Sequence, residues 1–319
     1  MSGGKPRVLY ITGMTRCGST MLGNTLNEIP GVLHVGELHY MWRNGILGAG
    51  TNSSCGCGAG LTDCPLWSSV LASPAVPASH GDARRMLAVQ DRHLRTRHTP
   101  ARLAEARGSR AAPPAVVELT EAVAALYREL TAQLGVRLIV DSSKYPAEAA
   151  ALLGRDDLDV RVLHMVRDPR ATAFSYQSGK SYVARMTPLR STAYWSGINA
   201  ASDLVGVGAK DRYKRIRHED FAREPRRVLD EVMRFAGAPE ANPVDDEGRV
   251  RLGDNHTVTG NPDRLNRGLV TIRAGDRWRT ELAWPPRAVT TAGAGLQMYH
   301  YGYAGMPSPR TPAAARKGR

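Results

Sequence analysis

No stretch of this 319-residue chain comes near the roughly 18 to 20 uncharged apolar residues that a membrane-spanning helix requires, and the opening MSGGKPRVLYITG runs directly into a strand-like segment. Neither a membrane anchor nor a secretory signal is expected, and the expected compartment is the cytoplasm. Cysteine is scarce: there are four, three of them between Cys55 and Cys64, too few to staple a chain of this length. Acidic residues fall short of basic ones, 30 against 43, which leaves a formal charge of +13 and calls for an anionic partner. The basic residues form no single run and do not alternate with aromatics, so nucleic acid is not the expected partner. Lysine is rare beside arginine, no acidic cluster reads as a metal site, and no internal repeat is visible. With 42% apolar residues the chain can bury one large core, and disorder throughout is excluded.

Arg7 to Thr12 (RVLYIT) is a short run of β-formers, followed by the turn GMTRCGST and by MLGNTLNEI, in which Met21, Leu22, Leu26 and Ile29 recur at helical spacing. Two further runs, Arg137 to Val140 and Val160 to Val166, lead into the polar segments DSSKYP and RDPRATAFSYQ, and Arg215 to Arg217 is a short fourth strand candidate. Repeated strand, loop and helix units predict an α/β fold with a P-loop-like central parallel sheet flanked by helices, and ligands gather at the carboxyl ends of such strands. Helical stretches at Asp82–Arg97 and Val116–Leu134, together with the Gly- and Cys-rich loop from Asn44 to Pro65, predict a cover over the acceptor site; Thr187 to Val205 also reads as helical. Residues 1–304 are expected to form a single domain and 305–319, rich in Pro and basic residues, a disordered basic tail.

Gly13 and Gly18 bracket a turn between strand and helix, where backbone N–H groups and the positive helix end can hold phosphate oxygens, with hydroxyls from Ser19 and Thr20. The spacing matches part of a nucleotide triphosphate loop, but Ser19 stands where that loop demands lysine, which suits one terminal phosphate better than the bridging phosphates of ATP. Arg167 ends the third strand run and Ser175 follows two helical turns later, so both can point at a second phosphate; an Arg-Asp pair there also serves as a salt bridge and helix cap.

Taken together and in this order, Thr15-Arg16-Cys17-Gly18-Ser19-Thr20 and Arg167-Asp168 through Ser175 resemble the two phosphate-binding segments of sulfotransferases that use 3′-phosphoadenosine-5′-phosphosulfate (PAPS). The resemblance runs from about Arg7 to Trp278, leaves the middle unmatched, and is strongest toward the tyrosylprotein and carbohydrate branch. It implies that the first loop grips the 5′-phosphosulfate and the second segment the 3′-phosphate of PAPS or of its product PAP. It implies Glu37 as the base, 21 residues after Arg16 as in tyrosylprotein sulfotransferases, with His34 and His39 in reserve because other branches use histidine. Lys144, two residues before Pro146, resembles the lysine that meets the leaving oxygen, and Arg16 neutralises the phosphosulfate. NHTVTGNPDR and AGDRWR resemble the segment that closes over the nucleotide: Thr257 or Thr259 as hydroxyl donors, Arg277 toward the 3′-phosphate, Trp278 beside the adenine or in the core. His218 stands where the family often has tyrosine, either packed or in contact with ligand.

Sulfuryl transfer is an in-line displacement that positive side chains can support, so no metal is required for it. Cys55, Cys57 and Cys64 can bind zinc with a nearby histidine, yet C-x-C is not a usual zinc-finger spacing, and a disulfide or reduced thiols are the preferred reading. Cys17 is read as packed rather than nucleophilic. The implied activity is transfer from PAPS to a hydroxyl of a small molecule, glycoside or natural product, chosen by the cysteine loop and the segment from Gln177 to Tyr194; a homodimer is compatible with the sequence. The alternatives are a P-loop kinase of a small metabolite and a basic nucleic-acid-binding protein.

Overall fold

The computed structural model describes residues 4–177, 184–238 and 241–304; the basic tail expected at 305–319, and part of the segment from Gln177 to Tyr194, lie outside the described residues. In chain order the elements are β1 (Arg7–Thr12), α1 (Ser19–Asn27), β2 (Val32–Gly36), α2 (Pro65–Leu71), α3 (His80–His93), α4 (Thr99–Ala106), α5 (Pro114–Leu134), β3 (Leu138–Lys144), α6 (Pro146–Leu153), β4 (Asp159–Val166), α7 (Pro169–Gln177) and α8 (Pro188–Ala209). They continue with β5 (Tyr213–Arg217), α9 (His218–Arg223), α10 (Pro225–Ala236), β6 (Arg249–Leu252), β7 (Gly268–Thr271), α11 (Trp278–Glu281) and α12 (Trp284–His300).

Five parallel strands form one sheet in the order β2-β3-β1-β4-β5. Alternation along β1 divides its side chains between two cores. Val8 and Tyr10 face a cluster with Leu126 and Leu130 of α5 and Ala149 of α6, while Leu9 and Ile11 face Leu22 and Leu26 of α1 and Leu229 of α10. All four β1 side chains are fully buried, which is why the run is continuously apolar. The chain leaves β1 toward β2 on one side and leaves β4 toward β5 on the other, so the sheet has its switch point at β1, where such folds bind ligands.

The described residues fall into two compact units. The first, 1–167 with 197–273, holds the five-stranded sheet and the antiparallel hairpin β6–β7. The second, 168–196 with 274–319, holds α7, α11 and α12, with Ala171, Phe174, Trp278 and Leu282 in its small core. No helix among the described residues is long and apolar enough to cross a membrane.

Several elements depart from the sequence reading. The second strand run continues through Asp141, Ser142 and Ser143 to Lys144, all buried, because these polar groups find internal partners: Tyr127 donates to Asp141 at 2.6 Å and Ser142 to the Gly36 carbonyl at 3.0 Å. β2 is a sheet strand despite the buried His34 at its centre, whose ring nitrogens lie 3.2 Å from Asn24 Oδ1 and 3.0 Å from Ser142 Oγ. The cover contains two more helices than expected, α2 and α4, each opened by a proline in its first turn.

Candidate active site

The loop after β1 is shaped by backbone that only glycine accepts readily. Gly13 has φ +137°, and a Cβ there would lie 2.3 Å from the Met165 carbonyl oxygen. Gly18 (φ +97°) is the N-cap of α1 and supplies no side-chain cap, so the first-turn N–H groups of that helix are presented to whatever occupies the loop. Arg16 also has positive φ, +76°, and its carbonyl accepts a 2.8 Å hydrogen bond from Arg167 Nη1, which ties the end of β4 to the loop. Ser19 is buried and Thr20 half-buried at the helix start. Cys17 packs in the core with its thiol pKa pushed up by burial, which agrees with a packing role. A Cβ on Gly18 would lie 2.3 Å from Nδ1 of His218, a buried nitrogen with no hydrogen-bond partner among the described residues. Burial, reinforced by the charge of Arg167, lowers the His218 pKa to about 3 and keeps its ring neutral.

Lys144 pairs with Thr12 in the β1–β3 register, one residue before the loop begins, after an irregularity that re-aims the end of β3. Its φ of +75° is unusual for a side-chain-bearing residue and marks a conformation imposed by the surroundings. Nζ, on a residue only 7% exposed, donates to Glu37 Oε1 at 2.5 Å and to the Ser142 carbonyl at 2.9 Å. Glu37 follows directly on β2, where Gly36 (φ +77°) leaves no room for a Cβ: Thr257 Cβ and the Thr259 carbonyl oxygen would each be 2.8 Å away. Residues 257–259 therefore run as a strap along β2, with Val258 N donating to the Val35 carbonyl at 2.9 Å and Glu37 N to the Thr259 carbonyl at 3.4 Å. The Thr259 hydroxyl donates to the Asn52 carbonyl at 2.9 Å and accepts from Asn44 Nδ2 at 3.2 Å, so it anchors the strap to the loop 44–52.

The two reserve histidines have structural work. His34 lies under α1, and burial lowers its pKa to about 3 with further repulsion from Lys144 and Arg264. His39 stacks on Tyr145 at 3.7 Å between ring centroids, pairs with the buried Glu148 through Nδ1, and donates its backbone N–H to Ser143 Oγ at 2.9 Å. Asp141, next to this cluster, has its pKa raised to about 6 by burial and by the Glu148 charge. Sequence reading missed Arg264. It is 1% exposed, and its Nη2 donates to Asn52 Oδ1 at 2.8 Å and to the Ser54 carbonyl at 2.9 Å, fastening the strap to the cysteine loop.

The sulfotransferase family model matches residues 7–242, about three quarters of the chain. The chain belongs to the sulfotransferase family. Mouse (Mus musculus) carbohydrate sulfotransferase 3 is 24% identical over 164 residues, covering 46% of this chain and 34% of the mouse protein, so the match spans about a third of that relative's length. The fold is shared with two solved sulfotransferase domains. That of the Synechococcus PCC 7002 olefin synthase has TM-score 0.50 and 20% identity over 94% of this chain and 97% of that one. That of the curacin biosynthetic pathway has TM-score 0.53 and 17% identity over 92% and 98%.

In this sulfotransferase the first unit brings together Arg16, Cys17, Gly18, Ser19, Thr20, Glu37, Lys144, Thr259 and Arg167 around the ends of β1 to β4. Ser175, Arg277 and Trp278 belong to the second unit. There, Ser175 lies on α7, and Asp168 caps that helix by accepting from Arg170 N at 2.8 Å and pairing with its guanidinium at 2.7 Å. Arg277 is paired with Glu281 at 2.7 Å. Trp278 is 4% exposed, with Arg170, Arg279 and Arg287 4.8 to 5.8 Å from its ring centroid.

Proposed function

We propose that this sulfotransferase moves a sulfuryl group from PAPS to a hydroxyl of a small-molecule, glycoside or natural-product acceptor by in-line displacement, in the cytoplasm. The observation that carries the reading is the Lys144–Glu37 pair set beside the uncapped start of α1. The loop fits a phosphosulfate: helix N–H groups, the Ser19 and Thr20 hydroxyls, Arg16, and the orphan Nδ1 of a neutral His218 all border it. When bound, PAPS supplies an activated sulfuryl group on a phosphate that departs readily.

Glu37 accepts the proton of the attacking hydroxyl. An ammonium has three N–H donors, and Lys144 gives two of them to Glu37 and Ser142; the third direction serves the departing oxygen without dismantling the pair. Arg16 offsets charge on the sulfonate. Arg167 buttresses the loop through the Arg16 carbonyl and, as the resemblance assigns, meets the 3′-phosphate. A biosynthetic acceptor is in keeping with the olefin synthase and curacin pathway settings of the two structural relatives. Ser19 in the lysine position speaks against a kinase.

Calorimetry with PAP, followed by transfer of labelled sulfate from PAPS to a panel of hydroxyl acceptors, tests the proposal. Micromolar PAP binding with little salt-dependent affinity for DNA is expected; no heat with PAP would overturn it.

A further inference from the structure

The cysteine loop closes on a histidine from far along the chain. Cys55, Cys57 and Cys64 present their sulfurs, and His256 a ring nitrogen, so that all four donor atoms lie within 4.8 Å of one another. His256 Nδ1 lies 3.2 Å from Cys64 Sγ and 3.8 Å from Cys55 Sγ. A tetrahedral zinc ion with Zn–S of about 2.3 Å and Zn–N of about 2.0 Å needs donor separations of roughly 3.5 to 3.8 Å, which these distances bracket. The four cysteines of the chain are free, none joined to another.

The surroundings are those of a built site. Cys55 and Cys64 are buried while Cys57 is exposed, which gives an ion a way in. The loop is folded back by its own backbone: Cys55 N donates to the Ala59 carbonyl at 2.8 Å, and Gly58 N to the Cys55 carbonyl at 2.9 Å. His256 is held through its carbonyl, which accepts from Trp67 Nε1 at 2.6 Å. A C-x-C pair followed by a third cysteine seven residues on is an unusual spacing, and the fourth ligand is 192 positions beyond Cys64, so the sequence alone favours thiols or a disulfide.

We propose that Cys55, Cys57, Cys64 and His256 form a structural zinc site of Cys₃His type. Its place in the molecule gives it a purpose. His256 immediately precedes the strap 257–259 that lies along β2 and receives the Glu37 N–H, and Gly56 N, inside the cysteine loop, donates to the Thr257 carbonyl at 2.9 Å. An ion at this point pins the loop to the strap and thereby fixes the backbone beside Glu37. It closes a coordination sphere of four protein ligands with no open position, so it takes no part in sulfuryl transfer. Binding displaces thiol protons, so affinity falls in acid.

The full chain, produced with zinc in the medium and purified without chelator, is expected to carry about one zinc per chain by elemental analysis. Replacement by Co(II) is expected to give the intense visible bands of a tetrahedral thiolate site. Cys57→Ser, at the exposed ligand, is expected to lose those bands and to weaken Zn(II) retention against a chelator by roughly tenfold or more, while far-UV circular dichroism stays native. Removing zinc from the unmodified protein is expected to lower Tm and to speed proteolysis within the cysteine loop. Metal below roughly a tenth of an equivalent, with no cobalt bands, would overturn the proposal. So would a mass deficit of two hydrogens in the native protein, the mark of a disulfide among these cysteines.

Discussion

Replacing Glu37, the proposed base, by glutamine removes its carboxylate while keeping an oxygen for Lys144 to bond. In the native pair, charges 2.5 Å apart attract by about 6 to 7 kcal/mol at an effective dielectric constant of about 20. Most of that is offset by the desolvation of both groups, so the net loss in stability is small as long as an acceptor remains. The chemical loss is larger. A positioned general base contributes about 10²- to 10⁴-fold, equivalent to about 3 to 5.5 kcal/mol in the barrier. Glu37→Gln is therefore expected to lower kcat for transfer from labelled PAPS by that factor, with calorimetric PAP affinity changed less than about threefold, since Glu37 is proposed to act on the acceptor rather than the nucleotide. Glu37→Ala serves as the contrast: it leaves the Lys144 ammonium, 7% exposed, with only the Ser142 carbonyl, and is expected to cost about 3 kcal/mol of stability as well, seen as a lower Tm. Full turnover in Glu37→Gln refutes the assignment of the base, and equal collapse of PAP binding and turnover refutes the division of labour between Glu37 and the loop.

Lys144→Ala and Lys144→Gly are both expected to cut turnover about 100-fold, but glycine accepts φ +75° without strain, so Lys144→Gly is expected to be more stable than Lys144→Ala by about 1 kcal/mol, with a higher Tm; the reverse order would show that the backbone there is relaxed. Gly18→Ala puts a methyl 2.3 Å from His218 Nδ1 and into a left-handed conformation, so PAP affinity measured by calorimetry is expected to drop more than about tenfold, and native affinity would remove Gly18 from the site. Stability is expected to decline below pH 6.5, because His34 and His218 stay unprotonated in the fold down to about pH 3 while the unfolded chain takes up protons from 6.5 downward. Each contributes a slope of about 1.4 kcal/mol per pH unit, and between pH 6 and 3.8 Asp141, whose folded pKa is raised from 3.8 to about 6, offsets one of them. Thermal melts at pH 7, 6 and 5 check the sign, and His34→Gln is expected to flatten the decline by one proton; an unchanged slope would mean His34 titrates normally.

The sheet's inner strands were legible because β1 and β4 are buried on both faces and read as unbroken apolar runs. The end of β3 was not, since Asp141, Ser142 and Ser143 follow no apolar period; their burial is supported by Tyr127 and Gly36, contributed by other segments. β2 was obscured in the same way by His34, whose partners Asn24 and Ser142 come from α1 and β3. The glycine turn between β1 and α1 could be read from local spacing alone, because its glycines serve a single turn of backbone. The Glu37–Lys144 contact joins residues 107 positions apart and could not be read from the sequence, where likeness to a family picked out each residue separately. Arg264 gave no local signal at all: a buried arginine looks like surface charge until Asn52 and Ser54 are seen around it.

The strap has a consequence for how the molecule comes into being. Loop, base and lysine are all encoded within the first 144 residues, yet the backbone that steadies Glu37 arrives more than 110 positions later, at Thr259. Such distant closure is slow, because the intervening chain must first be ordered. During synthesis the glycine loop and Glu37 therefore emerge long before the strap that meets the Glu37 N–H. The backbone beside Glu37 is thus completed only late in synthesis, and a chain cut short ahead of Val258 would lack both the strap and the buried Val258 and Ile272.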